Sequence, residues 1–227
     1  NGSIWANCMW LKGVVMKAHY NGLIPRNPFI QFHISPNVKE REYLTEDELK
    51  AVMTHEFADS KLAYIRDIFI FASFTALSFV DIQELTNDNI VEVNGEKWIL
   101  SKRHKTKVAF QVKLLDIPLQ IVERYRPMQK DNRIFPGLNY WSICKPLKRM
   151  IRECGITKSI SFHCSRHGFA TLALSKGMPI ESVSRVLGHT NIVTTQLYAK
   201  ITTQKLDNDL TMFGDKLSKT FNGITMS

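Results

Sequence analysis

Asn94-Gly95 stands between the apolar runs "IVEV" and "EKWIL", in a chain whose other long stretches read as helices. Asn-Gly favours a two-residue type I′ turn, because both central residues there need positive φ. The stretch predicts two short antiparallel strands. A third follows in "KVAFQVKLL", where Val108, Phe110, Val112 and Leu114 alternate onto one face. Between the second and third strands lies "SKRHKTK", a very basic turn. The expected fold class is therefore mainly α with a small antiparallel β-sheet.

The helices around this hairpin have their own start and stop signals. Residues 4–20 have a loosely helical pattern, halted by the glycine and two prolines of "GLIPRNPF". Residues 33–43, "HISPNVKEREY", are polar and contain a proline, as a linker would. Residues 1–32 are thus expected to be the tail of a truncated N-terminal domain, 33–43 a linker, and 44–227 the main domain. That domain opens on "LTEDEL", where Thr45 and Glu48 form a capping box and the following helix buries Leu49, Val52 and Met53. A strongly apolar helix is expected from about Lys61 to Ala76. From Pro118 onward, helices are broken by "FPGLN", "GIT", "KGMP" and "LGHTN".

Charge narrows the partner. Lys and Arg number 30 against 21 Asp and Glu, a formal net charge of +9, which favours a polyanion and most commonly a nucleic acid. A solvated basic surface is the bland alternative. The four cysteines include no C-x-x-C pair, and Cys164, though near His163 and His167, lacks a full zinc ligand set, so reduced thiols and no metal are expected. No signal peptide is evident, and the longest apolar stretch, from Ile68 to Val80, is too short to span a bilayer. A cytoplasmic protein with no membrane contact is expected.

The chemistry concentrates in "SFHCSRHGFATLALSKG" and "LGHTNIVTTQLYAK". His163 and Arg166, at i and i+3, can project from one face of a helix whose inward positions read as Phe169, Leu172 and Ala173. Gly177 ends that helix, Pro179 starts another, and Gly188 ends that one, leaving His189 at a helix end. Tyr198 is expected within the next helix, in a stripe with Ile192 and Thr195. Taken singly, an H-x-x-R pair is most often a surface feature and a helical tyrosine most often packed. Spacing alone does not separate His163 from His167, which reads as the bystander. Together with the basic turn, these groups fit phosphoryl transfer to a phenol. The tyrosine holds the phosphate covalently, guanidinium and imidazolium donors stabilise the transition-state charge, and a lysine protonates the leaving oxygen.

"HCSRHGFAT" followed by "VLGHTNIVTTQLYAKI" closely resembles the signature of tyrosine recombinases, the phage-integrase family. "GLIPRNPF", "YLTEDEL" and "IFPGLN" resemble the branch found on Bacteroides-type conjugative transposons. The resemblance implies a tyrosine recombinase catalytic-domain fold. It also implies site-specific cutting and rejoining of double-stranded DNA through a 3′-phosphotyrosine, without metal, ATP or other cofactor. It makes Tyr198 the nucleophile, Arg166 a phosphate clamp, His163 and His189 phosphate and proton-transfer partners, and Lys105 the general acid. Lys102, Arg103 and Lys107 on the same turn become DNA-binding candidates. The resemblance further implies a homotetramer on paired sites, accessory DNA-bending or excision factors, and a nucleoid-associated location. "TTQKLDNDLTMFGDKL", with Leu206, Leu210, Met212 and Phe213, is then a candidate C-terminal exchange segment, or else packs on its own protomer.

One position departs from the pattern. Where the family carries an arginine in "T-G-L-R", this chain reads "TALS", with Ala76 in the glycine's place and Ser78 in the arginine's. A serine brings neither charge nor fork. Arg103 is the candidate compensating cation, and Asp81 and Glu84 are candidates to orient basic groups. The alternatives are a catalytically impaired DNA-binding homologue and a type IB topoisomerase-like relaxase.

Overall fold

The computed structural model describes residues 2–33, 42–105, 107–129, 131–199 and 203–220. The chain divides into two compact units, Asn1–Arg41 and Glu42–Ser227. In the first, helix α1 (Gly2–Tyr20) ends where Gly22 takes positive φ. Most of the expected linker, residues 34–41, lies outside the described residues.

The second unit begins at α2 (Glu46–Thr54), where the Glu48 amide donates to Thr45 Oγ1 (3.3 Å) and the Thr45 amide to Glu48 Oε2 (2.7 Å). Leu49 and Val52 are buried and Met53 half-buried. Helix α3 (Ser60–Thr75) starts at the cap of Asp59 and forms the centre of the unit, packing against α2, α5 (Asp116–Tyr125), α6 (Tyr140–Glu153) and α7 (His163–Ser175). Its buried residues include Leu62, Ile65, Ile68, Phe69 and Phe71, and such all-round burial explains why its sequence has so little polar face. It stops at Ala76, which adopts a left-handed conformation (φ 57°). The short helix α4 (Phe79–Gln83) then starts at Ser78.

The strands form an antiparallel meander, β1 (Ile90–Val93), β2 (Glu96–Lys102) and β3 (Ala109–Lys113). Asn94 and Gly95 both take positive φ, as the hairpin requires. Val93 pairs with Glu96 and Ile99 with Val112, and Phe110, Val112 and Leu114 are buried. Helix α8 (Ile180–Leu187) lies against both β3 and α7 and is followed by the single turn α9 (Val193–Gln196), with α10 (Thr203–Thr220) near the C-terminus. All four cysteines are free thiols. Among the described residues, no helix is long and apolar enough to cross a membrane.

Two sequence-based expectations need correction. Helix α7 buries Cys164, Ser165, Ala170 and Leu174, while of the expected inward residues Phe169 and Ala173 are half-buried against the smaller apolar cluster and Leu172 is half-buried. The helix is sandwiched between α3 and α8, so it has two inward faces, one for each neighbouring apolar cluster. Tyr198 is not inside a helix. It lies in the turn after α9, its amide donating to Thr195 O (3.0 Å).

Candidate active site

Two arginines meet at the C-terminal end of α8. Helix ends leave their last carbonyls without intrahelical donors and carry partial negative charge, so cations are favoured there. Arg166, one turn into α7, donates from Nη2 to Leu187 O and from Nη1 to Ala76 O (2.8 Å). The left-handed residue that ends α3 thereby presents its carbonyl to the guanidinium. Arg103, at the end of the β2 hairpin arm, donates from Nη2 to Val186 O (2.5 Å). It stacks on Phe110 with the guanidinium carbon 4.0 Å from the ring centre. Gly188 closes α8 at φ 63°, and a Cβ there would come within 3.0 Å of the Arg103 side chain. Glycine is thus favoured at 188 by both backbone and space.

Arg103 is buried and held by a buried carboxylate, Nη1 to Asp81 Oδ2 at 2.7 Å. The same oxygen accepts from Ser78 Oγ (2.8 Å), and Asp81 Oδ1 accepts from the His104 amide (2.9 Å). Burial pushes the Asp81 carboxyl up, but the His104 amide, Arg103 and Ser78 together outweigh it and hold the group below the ordinary carboxylate range. Glu84 binds His104 Nδ1 (Oε2, 2.8 Å). Asp81 and Glu84 thus tie the basic turn to α4. The hydroxyl of Ser78 is thus bonded to the carboxylate that holds Arg103.

The charges of this cluster act on one another. Burial, reinforced by the charge of Arg103, lowers Arg166 to about 10, with Tyr198 and Asp81 acting in the opposite direction. Burial and then the charges of Arg166, Arg103 and His163 lower His189 to about 4, and its Nδ1 lies 2.8 Å from Thr195 Oγ1. His189 is therefore neutral at pH 7. The His163 and His167 rings are 4.6 Å apart, and His167 is 5.1 Å from the ring of Tyr198.

A depressed imidazole makes stability depend on pH. The unfolded chain takes up the His189 proton near pH 6.5, before the folded protein does. This contribution is fully present above pH 6.5 and is lost as pH falls through about 4. Urea titrations at a series of pH values should show stability declining over that interval, and His189→Gln should flatten that part of the profile. An unchanged slope in the variant would place the titration elsewhere.

Residues 42–205 match the phage integrase family. The chain belongs to the phage integrase family. Among its members, Tyrosine recombinase XerA of Pyrococcus horikoshii is 32% identical over 177 residues, covering 72% of this chain and 58% of the relative. Tyrosine recombinase XerD of Listeria innocua is 26% identical over 204 residues, covering 82% of this chain and 67% of the relative. The chain thus spans roughly three fifths to two thirds of the length of these relatives. The Tn1549 transposon integrase, solved in complex with a circular intermediate DNA, shares the fold with a TM-score of 0.74 at 18% identity. That match covers 89% of this chain and 76% of the integrase chain.

Within this phage-integrase fold, the residues singled out from sequence divide in two. Arg103, Arg166, His189 and Tyr198 belong to one electrostatic cluster, and the charge of His163 reaches it. Lys102, Lys105 and Lys107 remain exposed on the hairpin arm and turn. Arg103 departs from them, since it points inward and is not part of that basic surface. His167, set aside as a bystander, stands between His163 and Tyr198. Its i+4 spacing from His163 was the available signal, because it puts both rings on one helix face.

Proposed function

We propose that this chain is the catalytic portion of a site-specific DNA recombinase of a mobile element, acting through a 3′-phosphotyrosine. The observation that carries the reading is the pairing of two guanidinia, Arg103 and Arg166, at one helix end, with Tyr198 and His189 inside the same electrostatic cluster. A cation pair with a phenol in the same electrostatic cluster suits a phosphodiester better than a neutral substrate. The Tyr198 oxygen attacks phosphorus as its phenol proton passes to one of the neighbouring imidazoles, the bond to the 5′ oxygen breaks, and that oxygen takes a proton from Lys105. Rejoining reverses the sequence with a 5′-hydroxyl from another strand. The phosphate bond energy stays in the phosphotyrosine, so the reaction calls for no metal or nucleotide.

In this reading Arg103 stands in for the family arginine absent at Ser78. Asp81 fixes it beside Arg166, and Ser78 helps to fix Asp81. His163 and His189 contact the phosphate and move protons, and Lys102 and Lys107 meet DNA phosphates. The exposed apolar residues Leu206, Leu210, Met212 and Phe213 of α10 suit exchange between copies in a tetramer on paired sites, with accessory bending or excision factors. The likeness of the fold to a transposon integrase supports the mobile-element context. An intact tyrosine, with a guanidinium at hand to replace the missing one, speaks against an impaired DNA-binding homologue.

The test is a nicked suicide duplex carrying a candidate attachment site. A covalent protein–DNA adduct should be visible on denaturing gels and absent for Tyr198→Phe. If the protein binds a verified site and gives no adduct, the catalytic reading fails and the DNA-binding one takes its place.

A further inference from the structure

The turn α9 inverts the usual pattern of burial. Its Thr195 is fully buried, at 0% exposure, while the apolar residues around it, Ile192, Val193 and Leu197, are 36%, 57% and 68% exposed. A hydroxyl taken out of water costs free energy unless it finds a hydrogen-bond partner. Where this one finds its partner is therefore informative.

In a helix a threonine can return its hydroxyl proton to the carbonyl one turn back. Thr54, Thr75, Thr171 and Thr220 all do so in this chain, each donating to the residue four before it. Thr195 does not. Its Oγ1 lies 2.8 Å from His189 Nδ1, and the hydroxyl has no other partner among the described residues. Sealed from water, the hydroxyl proton has one acceptor within reach, the imidazole nitrogen. If Nδ1 carried the ring proton instead, the buried O–H would be left unsatisfied. A neutral imidazole has one proton, so an Nδ1 that accepts a bond places that proton on Nε2.

The backbone of the same residue reaches the tyrosine. Thr195 O accepts the Tyr198 amide at 3.0 Å, and the Thr195 amide donates to Ile192 O at 2.7 Å. The amide of His189 is in turn fixed to Ser184 O of α8 at 3.0 Å. One buried residue thus joins the His189 ring to the turn that carries Tyr198.

We infer that Thr195 is a positioning residue of this site, holding His189 as its Nε2–H tautomer through its hydroxyl and fixing the Tyr198 turn through its carbonyl. The inference rests on the recombinase reading of the preceding section. His189 then meets a phosphate oxygen as a hydrogen-bond donor, and it has no bare nitrogen left to take up the phenol proton. A rigid link between the two groups also keeps the phenol and the donor in register on one phosphorus.

The experiment compares Thr195→Val, which keeps the shape and loses the hydroxyl, with Thr195→Ser, which keeps the hydroxyl and loses the methyl. Two quantities are read on the whole chain, with thermal melts to confirm folding. The first is the single-turnover rate of adduct formation on the nicked duplex, at saturating DNA. Valine should lower it about tenfold or more with unchanged DNA affinity, as loss of the outer partner of a working imidazole does, and serine should restore most of it. The second is nitrogen NMR of histidine-labelled protein at pH 7, with the His189 signals assigned from His189→Gln. In the parent and in Thr195→Ser, Nδ1 should be unprotonated and shifted by its hydrogen bond. In Thr195→Val it should move to the position of a free imine nitrogen or gain the proton. If valine does not fold, Thr195→Ala against Thr195→Ser isolates the same hydroxyl. A proton on Nδ1 in the parent, an unmoved Nδ1 signal in the valine variant, or a folded valine variant reacting within twofold of the parent would overturn the inference and leave the recombinase reading intact. A parent that binds a verified site and forms no adduct overturns that reading, and the positioning role falls with it.

Discussion

Replacing Arg103 with alanine is expected to slow formation of the covalent DNA adduct by about a hundredfold or more, which corresponds to about 3 kcal/mol of transition-state stabilisation. The expectation follows from where the side chain sits. Its guanidinium shares the α8 terminus with Arg166, and its charge acts on both Arg166 and His189. Asp81 supplies its anchor, and Phe110 packs beneath it. Its Nε is also buried and has no hydrogen-bond partner among the described residues. Arg103→Lys should recover only part of the rate, because an ammonium cannot hold the Asp81 carboxylate and the Val186 carbonyl in the same fork.

Removing Arg103 also leaves Asp81 buried without its cation, so loss of rate has to be separated from loss of fold. The separating variant is Ser78→Arg in the Arg103→Ala background. It returns a guanidinium to the neighbourhood of the same carboxylate and should restore much of the rate. In the parent background Ser78→Arg should instead slow the reaction, since two guanidinia would then compete for one carboxylate. Single-turnover adduct formation, with a circular-dichroism melt for each protein, is the measurement. A folded Arg103→Ala protein that reacts within a few-fold of the parent would end the idea that Arg103 replaces the missing arginine.

What sequence could and could not show follows from the range of the interactions. The hairpin was legible because Asn94 and Gly95 carry their own backbone preference, and the start of α2 because Thr45 and Glu48 cap each other locally. The ends of α7 and α8 were legible at Gly177 and Gly188 for the same reason. The burial of Arg103 was not, because it depends on Asp81, 22 residues earlier, and on a helix end more than 80 residues later. In sequence Arg103 looks like one more cation in "SKRHKTK". The buried surface of α7 was legible only in part, at Phe169 and Ala173, because a single amphipathic stripe does not describe a helix with neighbours on two sides. Tyr198 was expected inside a helix because Ile192, Thr195 and Tyr198 have helical spacing, but α9 lasts only from Val193 to Gln196. Its pattern is real, and its length was invisible without the neighbours that end it.

A second large effect is expected far from the cluster. Asp67→Ala should destabilise the folded protein by about 3–5 kcal/mol, the cost of breaking a buried ion pair from one side. Asp67 is buried in the central helix α3, and its carboxylate has three partners. Arg66 Nε donates at 2.8 Å, Arg124 Nη1 at 2.7 Å and the Tyr125 hydroxyl at 2.8 Å. Two of these partners belong to the α5 end of the chain, so the carboxylate fastens α5 to α3 in addition to their apolar contact. Burial, reinforced by Asp67, raises the Tyr125 hydroxyl well above its ordinary range, so it remains a donor at any pH the fold survives. Asp67→Asn preserves the shape but offers one acceptor oxygen where three donors converge, and it should lose somewhat less than the alanine. Tyr125→Phe removes a single neutral donor and should cost about 1 kcal/mol. Urea unfolding of the three variants should place them in that order. An Asp67→Ala protein as stable as the parent would mean that the surrounding apolar packing alone holds α5 in place.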